Sequence, residues 1–101
     1  MKVRLFDVTI RPIMRTDFKR SRQYGNGEPA RRKPEFRNLS SDTLTVRADT
    51  VEQAAKIARR MVPGRYNEKR WRINQTDVAY ASRETVESVL VEKVELVAEE
   101  D

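Results

Sequence analysis

Apolar and polar residues alternate over residues 3–10, with Phe6, Val8 and Ile10 on one parity and Asp7, Thr9 and Arg11 on the other. A period of two predicts a half-buried β-strand. Pro12 is expected to end it, because proline has no N–H to give to a central ladder. Val3 and Leu5 fall on the opposite parity, which predicts a bulge or an N-terminal end covered on both faces. Alternation returns over residues 43–48, where Leu44, Val46 and Ala48 share one face and Thr43, Thr45 and Arg47 the other.

The period then changes. Val51, Ala54, Ala55, Ala58, Met61 and Val62 recur at helical spacing with Ile57 beside them, which predicts an amphipathic helix over residues 51–62. Thr50 with Gln53, and Asp49 with Glu52, have the spacing of an N-terminal cap. Arg59 and Arg60 in the last turn and Pro63-Gly64 beyond mark its end. A third strand is expected over residues 69–74, with Trp71 and Ile73 inward and Arg70 and Arg72 outward. Trp71 is assigned to the core against the helix, together with Phe6 and Ile73. Val78 and Tyr80 continue this strand or form a short separate piece.

The C-terminal segment fits two periods. Val86, Val89, Leu90, Val94 and Val97 make a helical face; Val89 and Val91, then Val94 and Leu96, make a strand with one register break. Crowding of β-branched valines favours a strand, expected over residues 88–97 after a turn of helix at 82–87. Residues 12–38 show no sustained period. They form either a long hairpin tip with strand extensions or a disordered arm. The whole predicts one α+β domain over residues 1–101. A mainly antiparallel sheet of about four strands, in the order β–long arm–β–α–β–β, would carry one helix on one face. The basic arm or extended hairpin covers residues 11–38, and an acidic tail residues 98–101.

The run Val46-Arg47-Ala48-Asp49-Thr50-Val51-Glu52-Gln53-Ala54-Ala55-Lys56-Ile57-Ala58 resembles the strand–cap–helix module of small uncharacterised α/β proteins of bacteriophages and mobile elements. The resemblance covers about a fifth of the chain. It implies such an origin, with the host cytoplasm as location, and it carries over no catalytic residues.

Charge changes the picture of the arm. Residues 11–37 hold nine basic and three acidic residues, a net of +6, against +5 for the whole protein. From Ile73 onward two basic residues face eight acids, a net of −6. A chain so divided can associate head to tail or bind a partner through each end. The chain has neither cysteine nor histidine, which removes thiolate chemistry, the usual acid–base catalyst and the commonest metal ligand. Gly25-Asn26-Gly27 begins a dinucleotide fingerprint, but no helix pattern follows it. Asp7, Asp42 and Asp49, and Asp77 with Glu84, read as caps and solvated charges. No apolar run approaches the roughly 18 residues of a membrane span. The N-terminal residues lack the apolar stretch of a signal peptide, so a cytoplasmic location is expected.

These residues predict a non-enzymatic binding protein without cofactor or metal. Its contacts are assigned to Arg15, Lys19, Arg20, Arg22, Tyr24, Arg31, Arg32, Lys33, Phe36 and Arg37 of the arm, with Arg47, Arg70 and Arg72 on the open sheet face. Arginine suits bidentate phosphate or carboxylate contacts, and the aromatics can stack on unpaired bases. The first partner expected is nucleic acid, DNA or RNA, held mainly through its backbone. The alternative is an acidic protein surface on a host or assembly partner, with Phe18, Tyr24 and Phe36 as anchors. Self-association is also compatible with the charge division.

Overall fold

A computed structural model describes residues 3–21, 32–73 and 79–100. The elements are β1 (Val3–Arg20), β2 (Glu35–Asn38), β3 (Asp42–Ala48), α1 (Val51–Tyr66), β4 (Arg72–Ile73) and β5 (Tyr80–Glu100). They form the expected α+β arrangement, one helix on an antiparallel sheet, with five strands where about four were expected. β1 is central. β5 pairs along its whole length on one side, and β3 and then β2 pair with its two halves on the other. β3 and β5 both run antiparallel to β1 and hence parallel to each other. The α1 crossover therefore spans β1.

The long β1–β5 pair sets the shape. The molecule measures 65 × 19 × 18 Å, with a radius of gyration of 18.6 Å. A compact chain of this length would have about 13 Å.

Pro12 does not end β1. Its carbonyl accepts from Leu39 N–H at 3.0 Å. Along a strand the N–H and C=O of one residue point to the same side, so the missing N–H faces the gap between β2 and β3. No ladder bond is lost there. Pro12 itself is fully buried.

β5 extends from residue 80, so the expected turn of helix at 82–87 is strand. The register against β1 shifts three times, leaving Val97, Glu92 and Glu87 of β5 unopposed at five-residue intervals. Each shift adds one residue to β5 alone, as a β-bulge does. The residues opposite Phe6, Val8, Ile10, Pro12 and Met14 are Leu96, Val94, Val91, Val89 and Val86. Their spacing of two and three is the mixture that resembled a helical face.

The core lies between α1 and one sheet face, built from Phe6, Val8, Ile10, Leu44, Val46, Ala48, Ala54, Ala58 and Val62. On the helix only Ala54, Ala58 and Val62 are buried, a stripe narrower than expected. Val51 is half exposed and Met61 lies at the edge. Two alanines facing the sheet let the helix axis approach closely. The cap uses Thr50, whose hydroxyl accepts from Gln53 N–H at 3.1 Å, while Gln53 Oε1 accepts from Asp49 N–H at 2.8 Å. The helix also runs through Pro63 and Gly64 to Tyr66. Its last turn is held by Asn67 N–H donating to Pro63 O at 2.9 Å and Tyr66 O–H donating to Asp42 Oδ2 at 2.8 Å. Tertiary anchoring thus outweighs the missing proline N–H.

Helix α1 covers only the near part of the ribbon. Beyond residue 12 of β1 the sheet continues as a narrow extension, closed by Ser21 N–H donating to Ala79 O at 3.0 Å. The outer edge of β5 is covered at Glu84 and Val86, where Asn67 and Glu68 supply the hydrogen-bond partners.

Candidate functional site at the far end of the hairpin

On the face away from α1, pairing brings Arg11, Arg15 and Lys19 of β1 beside Leu90, Thr85 and Ala81 of β5. The expected row of guanidinium groups is not an open cationic surface. Arg11 Nε lies 3.3 Å from Glu92, and the Ser41 hydroxyl bridges them, accepting from Arg11 at 3.3 Å and donating to Glu92. Arg15 Nε donates to Asp17 at 2.9 Å, and its Nη1 lies 3.8 Å from Glu87. Glu87 and Glu92 are two of the bulged residues of β5. Arg4 pairs with Glu99 at 3.1 Å. The basic early strand and acidic late strand neutralise one another within the chain. The charge division read as a route to head-to-tail association is thus largely satisfied internally. Arg47 is exposed on β3 opposite Leu5, near Thr45, whose hydroxyl donates to Asp7 at 2.7 Å.

On the helix-facing side, beyond the helix, Arg37 donates to both carboxylate oxygens of Glu84 at 2.8 and 2.6 Å. These bonds hold the Glu84 carboxyl below the usual carboxylate range; burial opposes them, and the Arg37 charge, the Thr16 hydroxyl and the Arg72 charge reinforce them. Arg37 is raised by the same pair. Arg72 shares this side, opposite Ser82, and pairs with Glu68 at 2.6 Å. It is therefore not on the open face with Arg47. Arg70 is exposed just before β4.

The far end differs from the rest. Residues 13–21, 32–38, 68–73 and 79–88 carry ten basic residues against five acids, a net of +5, whereas residues 3–12, 39–67 and 89–99 carry eight against seven. Every cation-over-ring contact among the described residues also lies there. Arg32 sits 3.9 Å over the Phe18 ring and 5.4 Å over that of Tyr80, and it pairs with Glu35 at 3.0 Å. Phe18 and Tyr80 meet edge to face at 6.3 Å. Arg15 lies 6.0 Å over Phe36, which is 56% exposed. Lys33 is exposed beside them, and Arg20 closes β1 opposite Tyr80.

Trp71 is not part of the core against α1. Continuing the β4 register places it opposite Arg83, on the open face. Its ring lies 4.5 Å from Lys19 Nζ and 4.7 Å from the Arg83 guanidinium carbon. Ile73, assigned inward, is 45% exposed. The cause is the face: the side chains of Trp71 and Ile73 both stand on the side of the sheet away from α1, where no second layer covers them. Lys69 and Arg83 join the expected site residues. Their clue was a lone tryptophan inside the run Lys69-Arg70-Trp71-Arg72. Arg22, Tyr24 and Arg31 lie outside the described residues.

Among the described residues no group of acidic side chains is placed to hold a metal ion, and no helix is long and apolar enough to cross a membrane. No protein-family description, curated protein or solved structure matches this chain.

Proposed function

We propose that this chain is a small non-enzymatic binding protein that contacts nucleic acid, chiefly its phosphate backbone, through the far end of the β1–β5 hairpin. The observation that carries this reading is the concentration of net charge. The far part holds +5 and the near part is almost balanced. An uneven field of this kind steers polyanions to one end of a rod. The same end gathers Phe18, Phe36, Trp71 and Tyr80, which supply ring surface beside cations. The strand–cap–helix resemblance suggests an accessory factor of the phage type.

The test is binding of a labelled oligonucleotide across a salt series. Contact with about three to six phosphates gives log K a slope of roughly −3 to −5 against log salt. Lys33→Glu with Arg70→Glu should reduce both affinity and slope. Lys56→Glu with Arg59→Glu, on the exposed side of α1, should leave both nearly unchanged. Equal losses from the two pairs would remove the assignment to the far end.

A second reading rests on Phe36. A phenylalanine 56% exposed on a four-residue edge strand suits an anchor for a protein partner. Phe36→Ala would then abolish capture of that partner and leave oligonucleotide affinity intact.

A further inference from the structure

On the open face, Arg11 and Arg15 each have a carboxylate partner. Lys19 and Arg83 have none among the described residues. What they share is the Trp71 ring, at 4.5 and 4.7 Å. Among the described residues Arg83 Nε, like Arg11 Nε, is buried and donates its hydrogen to no partner, but Arg11 has Glu92 beside it and Arg83 has no carboxylate. A cleft opens on each side of this trio. One is lined by Lys19, Arg20, Ser21, Trp71, Ile73 and Ala81. The other is lined by Lys69, Arg83, Thr85 and Glu68, whose carboxylate is paired with Arg72, and runs towards the end of α1. The order Lys19–Trp71–Arg83–Lys69 is thus cation, ring, cation, cation along the open face, while Arg20, next to Lys19 in the strand, reaches the first cleft from the opposite side of β1.

We propose that Trp71 is a stacking platform for one unpaired base of single-stranded nucleic acid, with the flanking phosphates held in the two clefts by Lys19 and by Arg83 with Lys69. This rests on the nucleic-acid reading above and adds strandedness to it. Two physical points carry it. An exposed cation over a ring is a weak contact that a flexible lysine leaves readily, whereas a base stacked on an aromatic ring contributes more. A phosphate entering the cleft draws the ammonium off the ring, and the base takes the vacated surface. A duplex cannot make this exchange, because its base faces are already stacked.

Trp71 is the chain's sole tryptophan, so its fluorescence reports this site alone. The probes are oligothymidylate of about 12 nucleotides and a duplex of equal length. At low salt, dye anisotropy measures binding and Trp71 emission measures stacking. Single strands should quench Trp71, and duplex should not. Trp71→Ala should weaken the single strand roughly tenfold or more and leave the duplex unchanged, while Trp71→Phe retains most of the affinity. If Trp71→Ala fails to fold, quenching in the unmodified protein and the Lys19→Ala affinity still decide. Single-strand binding without quenching, or equal loss for strand and duplex, overturns the platform and leaves the nucleic-acid reading standing. Absence of binding to either probe at low salt overturns both.

Discussion

Glu84 shows how single residues join distant parts of this chain. Its carboxylate receives Arg37 from β2 and Thr16 from β1, and its backbone meets Glu68 beyond α1. The folded state binds the deprotonated form better, so the Glu84 pKa is lower folded than unfolded. Such a group stabilises fully above the unfolded value, about 4.3, and loses that contribution as pH falls through the folded value. Arg37 is 61% exposed, so screening limits the effect to about 1 kcal/mol or less. Glu84→Gln should accordingly be less stable than the parent at about pH 6 and nearly equal to it at about pH 3. Urea unfolding at both values measures this. An unchanged difference between parent and variant would show that the pair contributes nothing to stability.

At the scale of elements, legibility in the sequence follows the reach of α1. Under the helix one face is buried and the other wet, so Phe6, Val8, Ile10, Leu44 and Val46 wrote a clear period of two. The cap at Thr50 and Gln53 was equally clear. The alternation of burial runs on to Met14 and stops there, and residues 15–20 of β1 carried no period although they are strand. Trp71 differs for another reason: the parity of β4 puts it on the face away from α1, and a large aromatic in the sequence does not say which face it takes. β5 was ambiguous because its bulges turn a period of two into steps of two and three. The far-end charge could be counted in the sequence, but its partial cancellation by β5 could not, since Arg11 and Glu92 meet only through the register.

The bulges themselves can be tested. Glu92 has no opposite number in β1, so deleting it leaves Val91 opposite Ile10 and Lys93 opposite Thr9. The variant should fold and lose only about the 0.2–1 kcal/mol of an exposed ion pair with Arg11. Deleting Val94 removes an apolar residue opposite buried Val8 and moves its charged neighbours towards the core side, a far larger cost. Thermal melts of the two variants should differ widely. Similar melting temperatures would mean that the extra residue sits elsewhere in β5.

At the scale of the whole molecule, the main core and the excess positive charge occupy opposite ends of one hairpin. The near part contains the helix and the main core. The far part is a narrow ribbon fastened by Arg32 over Phe18 and Tyr80, by Trp71 over Lys19 and Arg83, and by the Arg37–Glu84 pair. Few-stranded ribbons without a second layer are marginal on their own. The far part should therefore open locally while the near part stays folded. Hydrogen exchange at residues 6–10 and 44–48 should report global unfolding. Residues 17–20 and 80–83 should exchange much faster and lose their protection at lower urea. If the far end serves nucleic acid, a bound oligonucleotide should slow exchange there and leave the core amides almost unaffected, because a ligand stabilises only the form that binds it. Equal protection at both ends of the free protein would instead make the hairpin one cooperative unit, with the ring contacts at its tip as much a part of folding as the core.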